Sequence, residues 1–336
     1  MHKISDIILK VPRKVYWVLL VLLLLIDAIA FDLSPLLQKI EIWDIAAAYN
    51  SLISIFPEIA KFAAKLKYLF LLVTAINVIL LLYKPRLFLI RHTSFSPNLG
   101  DIESDFLKNY YIKKINIDQT DMVKNSIPSI DAILKQDNRA ANLIRTCKSS
   151  PLCYYGIAHT PLVFRLGFML GDQSNIKLLH KRRSNDSLFK EWNHEKDMFV
   201  ITSNELNAQI DSNELIAAIS TSQRITEQDI KALHPLDRHV IFFESNNIGF
   251  DCITSYEAAE NAKNTIMQII RDLAKKYSIQ KIHLVIASST AFTFFLAQSF
   301  SSQHEPVTIV YHYQNGTYPW GICLNERAAA AFVFTS

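Results

Sequence analysis

Two apolar runs constrain this chain more than any other feature. Residues 15–31, VYWVLLVLLLLIDAIAF, and residues 66–83, LKYLFLLVTAINVILLLY, are 17 and 18 residues long. That is the lower edge of the roughly 17–25 residues a helix needs to cross a bilayer. Tyr16, Trp17, Tyr68 and Tyr83 lie at their ends, where interfacial aromatics are expected. No small-residue cleavage site follows Phe31 and a second run comes soon after, so a cleavable signal peptide is disfavoured. Residues 1–86 therefore read as an N-terminal α-helical membrane module with two transmembrane helices.

Lys3, Lys10, Arg13 and Lys14 precede the first run, and Lys84, Arg86 and Arg91 follow the second. Between the runs and at their facing ends, Lys39, Lys61, Lys65 and Lys67 are diluted by Asp27, Asp32, Glu41, Asp44 and Glu58. The positive-inside tendency then predicts two cytoplasmic termini. Within 33–65, apolar residues recur at helical spacing on either side of Pro57. Amphipathic helices are expected there rather than a third span, because Asp44, Asn50 and Glu58 are costly in lipid.

Residues 87–336 alternate short β-branched runs with helical patterns, which predicts α/β structure with parallel sheets. The order repeats. Halves at about 87–205 and 213–336 each read as β-α-β-α-β-α-β, with a helix near 121–136 in the first and one over 255–277 in the second. Ala158-His159-Thr160-Pro161 falls on Ala287-Ser288-Ser289-Thr290 at a separation of 129 (287 − 158). Two Rossmann-like units fused as a pseudo-dimer are expected.

The seven glycines form neither GxGxxG nor GxxxxGK[ST], so dinucleotide and P-loop readings lose their support. GxSxG, HExxH and kinase signatures are also missing from the sequence. Cys147, Cys153, Cys252 and Cys323 form no CxxC and read as reduced core residues, with no metal site expected. The net charge of +4 argues against duplex nucleic acid as a partner. On these grounds the module is expected not to be an enzyme.

What remains is a set of strand ends rich in neutral polar groups: His92-Thr93-Ser94, His159-Thr160, Thr221-Ser222 and Ser288-Ser289-Thr290. Lys181, Arg182, Arg183, Trp192, Tyr311, Tyr313, Tyr318 and Trp320 lie near them in sequence. Hydroxyls at helix starts hold phosphates, aromatic faces stack on bases, and Arg can do either. A ligand with a few phosphates and a few bases fits. Ordinary helix capping accounts for any one of these hydroxyls. Four equivalent strand ends in two repeats favour a ligand.

The stretches YYGIAHTPLVFRLGFMLGD and KRRSNDSLFKEW resemble the first half of a SAVED domain. IHLVIASSTAFTFFLAQSF and PVTIVYHYQNGTYPWGICLN resemble its closing half. The resemblance implies an α/β SAVED domain of two fused CARF-like units that senses cyclic oligonucleotides made by CD-NTase enzymes in CBASS antiphage systems. With the two spans, the chain resembles two-transmembrane SAVED effectors, which implies a homo-oligomeric pore or ion channel in the bacterial inner membrane, opened by the signal. Carried over by position, the ligand-binding residues would be His92, Ser94, His159, Thr160, Pro161, Lys181, Arg182, Thr221, Ser222, Ser288, Ser289, Thr290 and Tyr313. Where many relatives have proline after the second-half turn, this chain has Ser289-Thr290. The ligand would be a cyclic di- or trinucleotide, with no other cofactor. Thr74 and Asn77, three apart on one helical face, are candidates for a pore wall or a helix contact. Two alternatives stay open: a membrane-tethered nuclease cleaving the same ligand through His92 or His159, and a non-pore membrane anchor that recruits a partner.

Overall fold

The computed structural model describes residues 84–147, 150–171, 176–181, 188–193, 199–206 and 210–335. The chain divides into two units, Met1–Lys84 and Pro85–Ser336. The two expected spans, the segment between them, Thr74 and Asn77 all lie outside the described residues. Among the described residues no helix is long and apolar enough to cross a membrane.

The second unit begins with β1 (Arg86–Thr93), α1 (Ser104–Lys108) and β2 (Tyr111–Asp118). A small hairpin follows, β3 (Val123–Lys124) and β4 (Ile127–Pro128), turned by Asn125 and Ser126 at positive φ. Next come α2 (Ile130–Thr146), β5 (Leu152–Ile157), α3 (Thr160–Leu170), β6 (Ile176–Lys181) and β7 (Phe189–Glu191). The second half contains β8 (Ile201–Leu206), β9 (Glu214–Ser220), β10 (His239–Ser245), α4 (Tyr256–Lys276), β11 (Lys281–Ala287) and α5 (Thr290–Ala297). It closes with β12 (Val307–Gln314), β13 (Thr317–Cys323) and β14 (Phe332–Phe334).

Two sheets result, in the orders β2-β1-β5-β6-β7 and β14-β13-β12-β11-β9-β10-β8. Within them, β2-β1-β5-β6 and β10-β9-β11-β12 are parallel runs, and in each the strand earliest in sequence lies between the next two. Matching order in both halves is what a duplicated doubly wound unit produces.

Four expectations need correction. The helix placed near 121–136 starts at Ile130, because the hairpin occupies the preceding residues and Ser129 caps the helix by accepting from the Ala132 amide at 3.2 Å. TEQDIKALH forms turns and short 3-10 pieces rather than an α-helix, so β9 and β10 are joined without one. The strand ending at Leu206, counted with the first half, pairs antiparallel with β10, so the second sheet starts there. Finally, the sheets are not wholly parallel: β7 pairs antiparallel with β6, β8 with β10, and β13 with both β12 and β14. An antiparallel pair can be joined by a short turn and needs no helical crossover.

One hydrophobic core joins the halves. It includes Tyr154, Val163, Phe164 and Leu166 from the first and Leu284, Phe292, Phe294 and Leu296 from the second. Tyr154 and Phe294 stack at 4.1 Å between centroids, a contact of the kind that adds about 0.5–1.5 kcal/mol beyond area burial. The helices α3 and α5 meet at Gly167. A Cβ there would lie 2.6 Å from the Phe294 carbonyl oxygen and 2.8 Å from the Ala297 Cβ. Arg165, on the same helix, is buried. It forks Asp137 of α2 at 2.9 and 2.8 Å and donates to the Cys323 and Glu326 carbonyls, both at 3.0 Å.

Gly167→Ala should push α3 from α5 and cost about 1–3 kcal/mol, the usual range for overpacking a filled core. Chemical denaturation of the variant against the parent measures this, and equal midpoints would refute the close approach.

Candidate functional site

In open α/β sheets, neighbouring crossovers diverge where the strand order reverses, opening a crevice at the carboxyl ends of the strands. Here that happens twice, between β1 and β5 and between β9 and β11. The two places carry matching backbone bonds. The Ser94 amide donates to the Ile157 carbonyl at 3.3 Å, and the Thr221 amide donates to the Ala287 carbonyl at 3.0 Å. Ser94 therefore corresponds to Thr221, and Ile157 to Ala287. The repeat offset is 130 (287 − 157), one more than the sequence alignment used. His159 now corresponds to Ser289, and Thr160 to Thr290.

Each switch point is tied by a hydroxyl. At the first, Ser94 Oγ accepts from the His159 amide at 2.8 Å and lies 2.6 Å from its Nδ1. At the second, Thr221 Oγ1 donates to Ser288 Oγ at 2.7 Å, while the Ser222 amide bonds the Ala287 carbonyl at 2.9 Å. Ser289 caps α5, accepting from the Phe292 amide at 3.2 Å. Thr290 joins the two halves by donating to the Gly156 carbonyl at 2.8 Å. Gly156 is required beside β1, since a Cβ would lie 2.3 Å from the His92 carbonyl oxygen.

Ser94, His159, Thr160, Thr221, Ser222, Ser288, Ser289 and Thr290 thus occupy two equivalent strand–helix junctions. Pro161 sits beside them in the first turn of α3 but is buried and has no polar group to offer. Three other sequence candidates have different positions. His92 is fully buried, with Nε2 2.9 Å from Gln119 Oε1 and Nδ1 3.2 Å from the Tyr154 hydroxyl, so both ring nitrogens bind the protein itself. Lys181, at the end of β6, donates to the Leu99 carbonyl at 2.8 Å and lies over the Phe189 ring. Tyr313 is half-exposed and packs edge-on against Tyr318. Arg182 lies outside the described residues.

Burial sets the electrostatics of the first junction. It lowers His159 to about 3, helped by His312 and His92. It lowers His312 to about 4, and His92 to about 4 against an opposing bond to Gln119. The junction is therefore lined by neutral imidazoles at neutral pH. Among the described residues no group of three or more His, Cys, Asp or Glu is arranged to hold a metal ion. A cavity of about 340 Å³ lined by Arg224, Phe242 and Glu244 lies beside β8 and β10 and contains none of the sequence candidates.

Residues 130–324 match the SMODS-associated and fused to various effectors sensor domain, SAVED. This chain belongs to the SAVED family. Two similar solved structures are SAVED/CARF-domain containing Cap4 receptors of Acinetobacter baumannii. The one with the cyclic trinucleotide 2'3'3'-cAAA shares 15% identity at a TM-score of 0.51, covering 77% of this chain and 56% of its own. The one with 3'3'3'-cAAA shares 14% at a TM-score of 0.50, covering 75% and 54%. The chain thus spans about half the length of these structures, and at this identity the likeness shows the SAVED/CARF-like α/β fold. No curated protein matches.

Sequence reasoning missed Phe95, the residue after Ser94. It is 52% exposed, and its ring stacks on His159 at 3.9 Å with an interplanar angle of 18°. Its signal was an aromatic following a strand end already singled out for its polar groups.

The buried imidazoles predict acid sensitivity. His92, His159, His283 and His312 titrate at about 3 to 4 when folded, against 6.5 in the free side chain. Between those limits the unfolded chain binds more protons, so this contribution is intact above pH 6.5 and is lost as pH falls to about 4. Urea midpoints measured from pH 7 to pH 4.5 should decline steadily; a flat profile would mean these rings titrate normally in the fold.

Proposed function

We propose that this SAVED domain is a receptor for a cyclic di- or trinucleotide, and that the chain is a membrane effector of a CBASS antiphage system. One observation carries the reading. Two topological switch points, each furnished with hydroxyls and a helix start, lie in halves that Thr290 and Gly156 tie directly together. A cyclic oligonucleotide repeats a phosphate and a base around a ring, so it can present equivalent groups to both junctions at once. Hydroxyls and helix-start amides bind phosphates without activating water. Family membership supports the same class of ligand, as do similar receptors whose structures hold cyclic triadenylates.

The output is proposed from the sequence. The runs at 15–31 and 66–83 would place the first unit in a bacterial inner membrane with both termini cytoplasmic, and β1 starts at Arg86, directly after them in the chain. Two spans cannot enclose a water path, so several copies would assemble into the pore. The ligand, supplied by a CD-NTase, must favour one arrangement of the sensor over another, because equal affinity for both shifts nothing.

Receptor action is favoured over cleavage by the fate of the two histidines that could act as bases. His92 spends both nitrogens on Gln119 and Tyr154, and His159 is buried, with Nδ1 held by Ser94 and Nε2 enclosed without a partner among the described residues. Ligand recovered unchanged after prolonged incubation is the expected result.

Full-length protein should be stabilised by one member of a panel of cyclic di- and trinucleotides, by about 2.7 kcal/mol at 100 times its dissociation constant. The same ligand should release dye from vesicles carrying the protein. Ser288→Trp should abolish both responses while the unliganded melting temperature holds, because Ser288, unlike Ser289, is not the helix cap. Normal responses in that variant would place the pocket elsewhere.

A further inference from the structure

The two junctions share a backbone plan but differ in chemistry. With Ser94 equivalent to Thr221, Phe95 falls opposite Ser222. The second half thus presents a small hydroxyl where the first presents an aromatic ring.

Three features separate Phe95 from an incidental surface aromatic. Its ring is braced, lying parallel to His159 at 3.9 Å. His159 is itself immobilised, being 1% exposed, held by Ser94 at both its ring and its amide, and backed by His312 at 4.7 Å and Trp320 at 6.3 Å. Yet 52% of the Phe95 surface remains open at the carboxyl end of β1. An ordered aromatic on a rigid support, half open to solvent, has already lost the side-chain freedom that stacking would otherwise cost. Every nucleobase has a π face, and stacking on such a platform is worth about 1–3 kcal/mol per base.

We propose that Phe95 is the platform on which one base of the cyclic oligonucleotide stacks, continuing the Phe95–His159 pile, while the hydroxyl junction of the second half takes a phosphate or ribose. The site is then polar along its length, and a ligand of mixed bases binds in one preferred orientation. This inference rests on the receptor reading proposed above. His159 is a positioning residue here, since it acts through Phe95.

The test is titration of the full-length protein with 3'3'3'-cyclic triadenylate and with the corresponding cyclic triuridylate. Affinity for the adenine trimer should exceed that for the uracil trimer. Phe95→Ala should weaken the tighter complex roughly 5- to 150-fold, the conversion of that stacking range at tenfold per 1.4 kcal/mol. Phe95→Trp should restore it, and Phe95→Leu, which keeps the apolar bulk but not the ring, should not. Melting temperatures of all three variants should match the parent, as expected for a half-exposed side chain. Wild-type affinity in Phe95→Leu would overturn the proposal, as would a change in oligomeric state with affinity unaltered. Wild-type protein that binds neither these trimers nor any cyclic dinucleotide would instead remove the receptor reading, so the two failures are distinguishable.

Discussion

The contact between α3 and α5 is the constraint on which the rest of this domain depends. Both helices start at a strand end, and both would carry the polar residues of a binding junction. Because Gly167 has no side chain, the α3 backbone can lie against the Phe294 carbonyl. The hydroxyl of Thr290 then reaches the Gly156 carbonyl at the end of β5. A few tenths of an ångström at the helix contact would therefore be felt at the junctions. The two sheets have no strand in common, so their relative placement is fixed by this helix pair and by the aromatic core around Tyr154 and Phe294.

Arg165 extends the same arrangement outward. Its buried guanidinium binds Asp137 on α2, the carbonyl of Cys323 at the end of β13 and that of Glu326 just beyond it. A charge in that position is costly unless all its donors are engaged, and here they connect elements from both halves. The junctions are thus held from behind by an ion pair and packed aromatics, leaving their outward face to hydroxyls and Phe95. Such a division suits the proposed receptor role, in which the two joined halves respond to a ligand as one packed body.

The two junctions match in backbone and differ in side chains, as a duplicated unit allows. The matched bonds at Ser94 and Thr221 preserve the strand ends, because they close the last rung of each parallel pair. The side chains just beyond carry no such duty. One half has Phe95 and His159 there, and the other has Ser222, Ser288 and Ser289.

Much of the fold was legible in the sequence. Alternating β-branched runs and helical patterns located the parallel strands, because buried strands and amphipathic helices have distinct hydrophobic periods. The hydroxyls before the apolar helix that begins at Thr290 located its cap at Ser289. The hairpin before α2 and the three-residue strands β7 and β14 were not legible, since short runs carry no period, and the antiparallel direction of β8 and β13 is set by pairing rather than by pattern. Glycines at the wrong spacing excluded a phosphate loop without indicating that Gly156 and Gly167 serve close approach. His92 looked like a site residue from its place at a strand end, but its partners Gln119 and Tyr154 lie 27 and 62 residues away. Lys181 likewise turned to Leu99, 82 residues away. The sequence by itself determined the repeat, the class of residue at each strand end and the apolar runs that precede the sensor. Only the tertiary structure decided which of those residues meet, the one-residue correction to the repeat, and the exposure of Phe95. Local pattern reports what a segment can bury, whereas a site is made by packing segments that are distant in the chain.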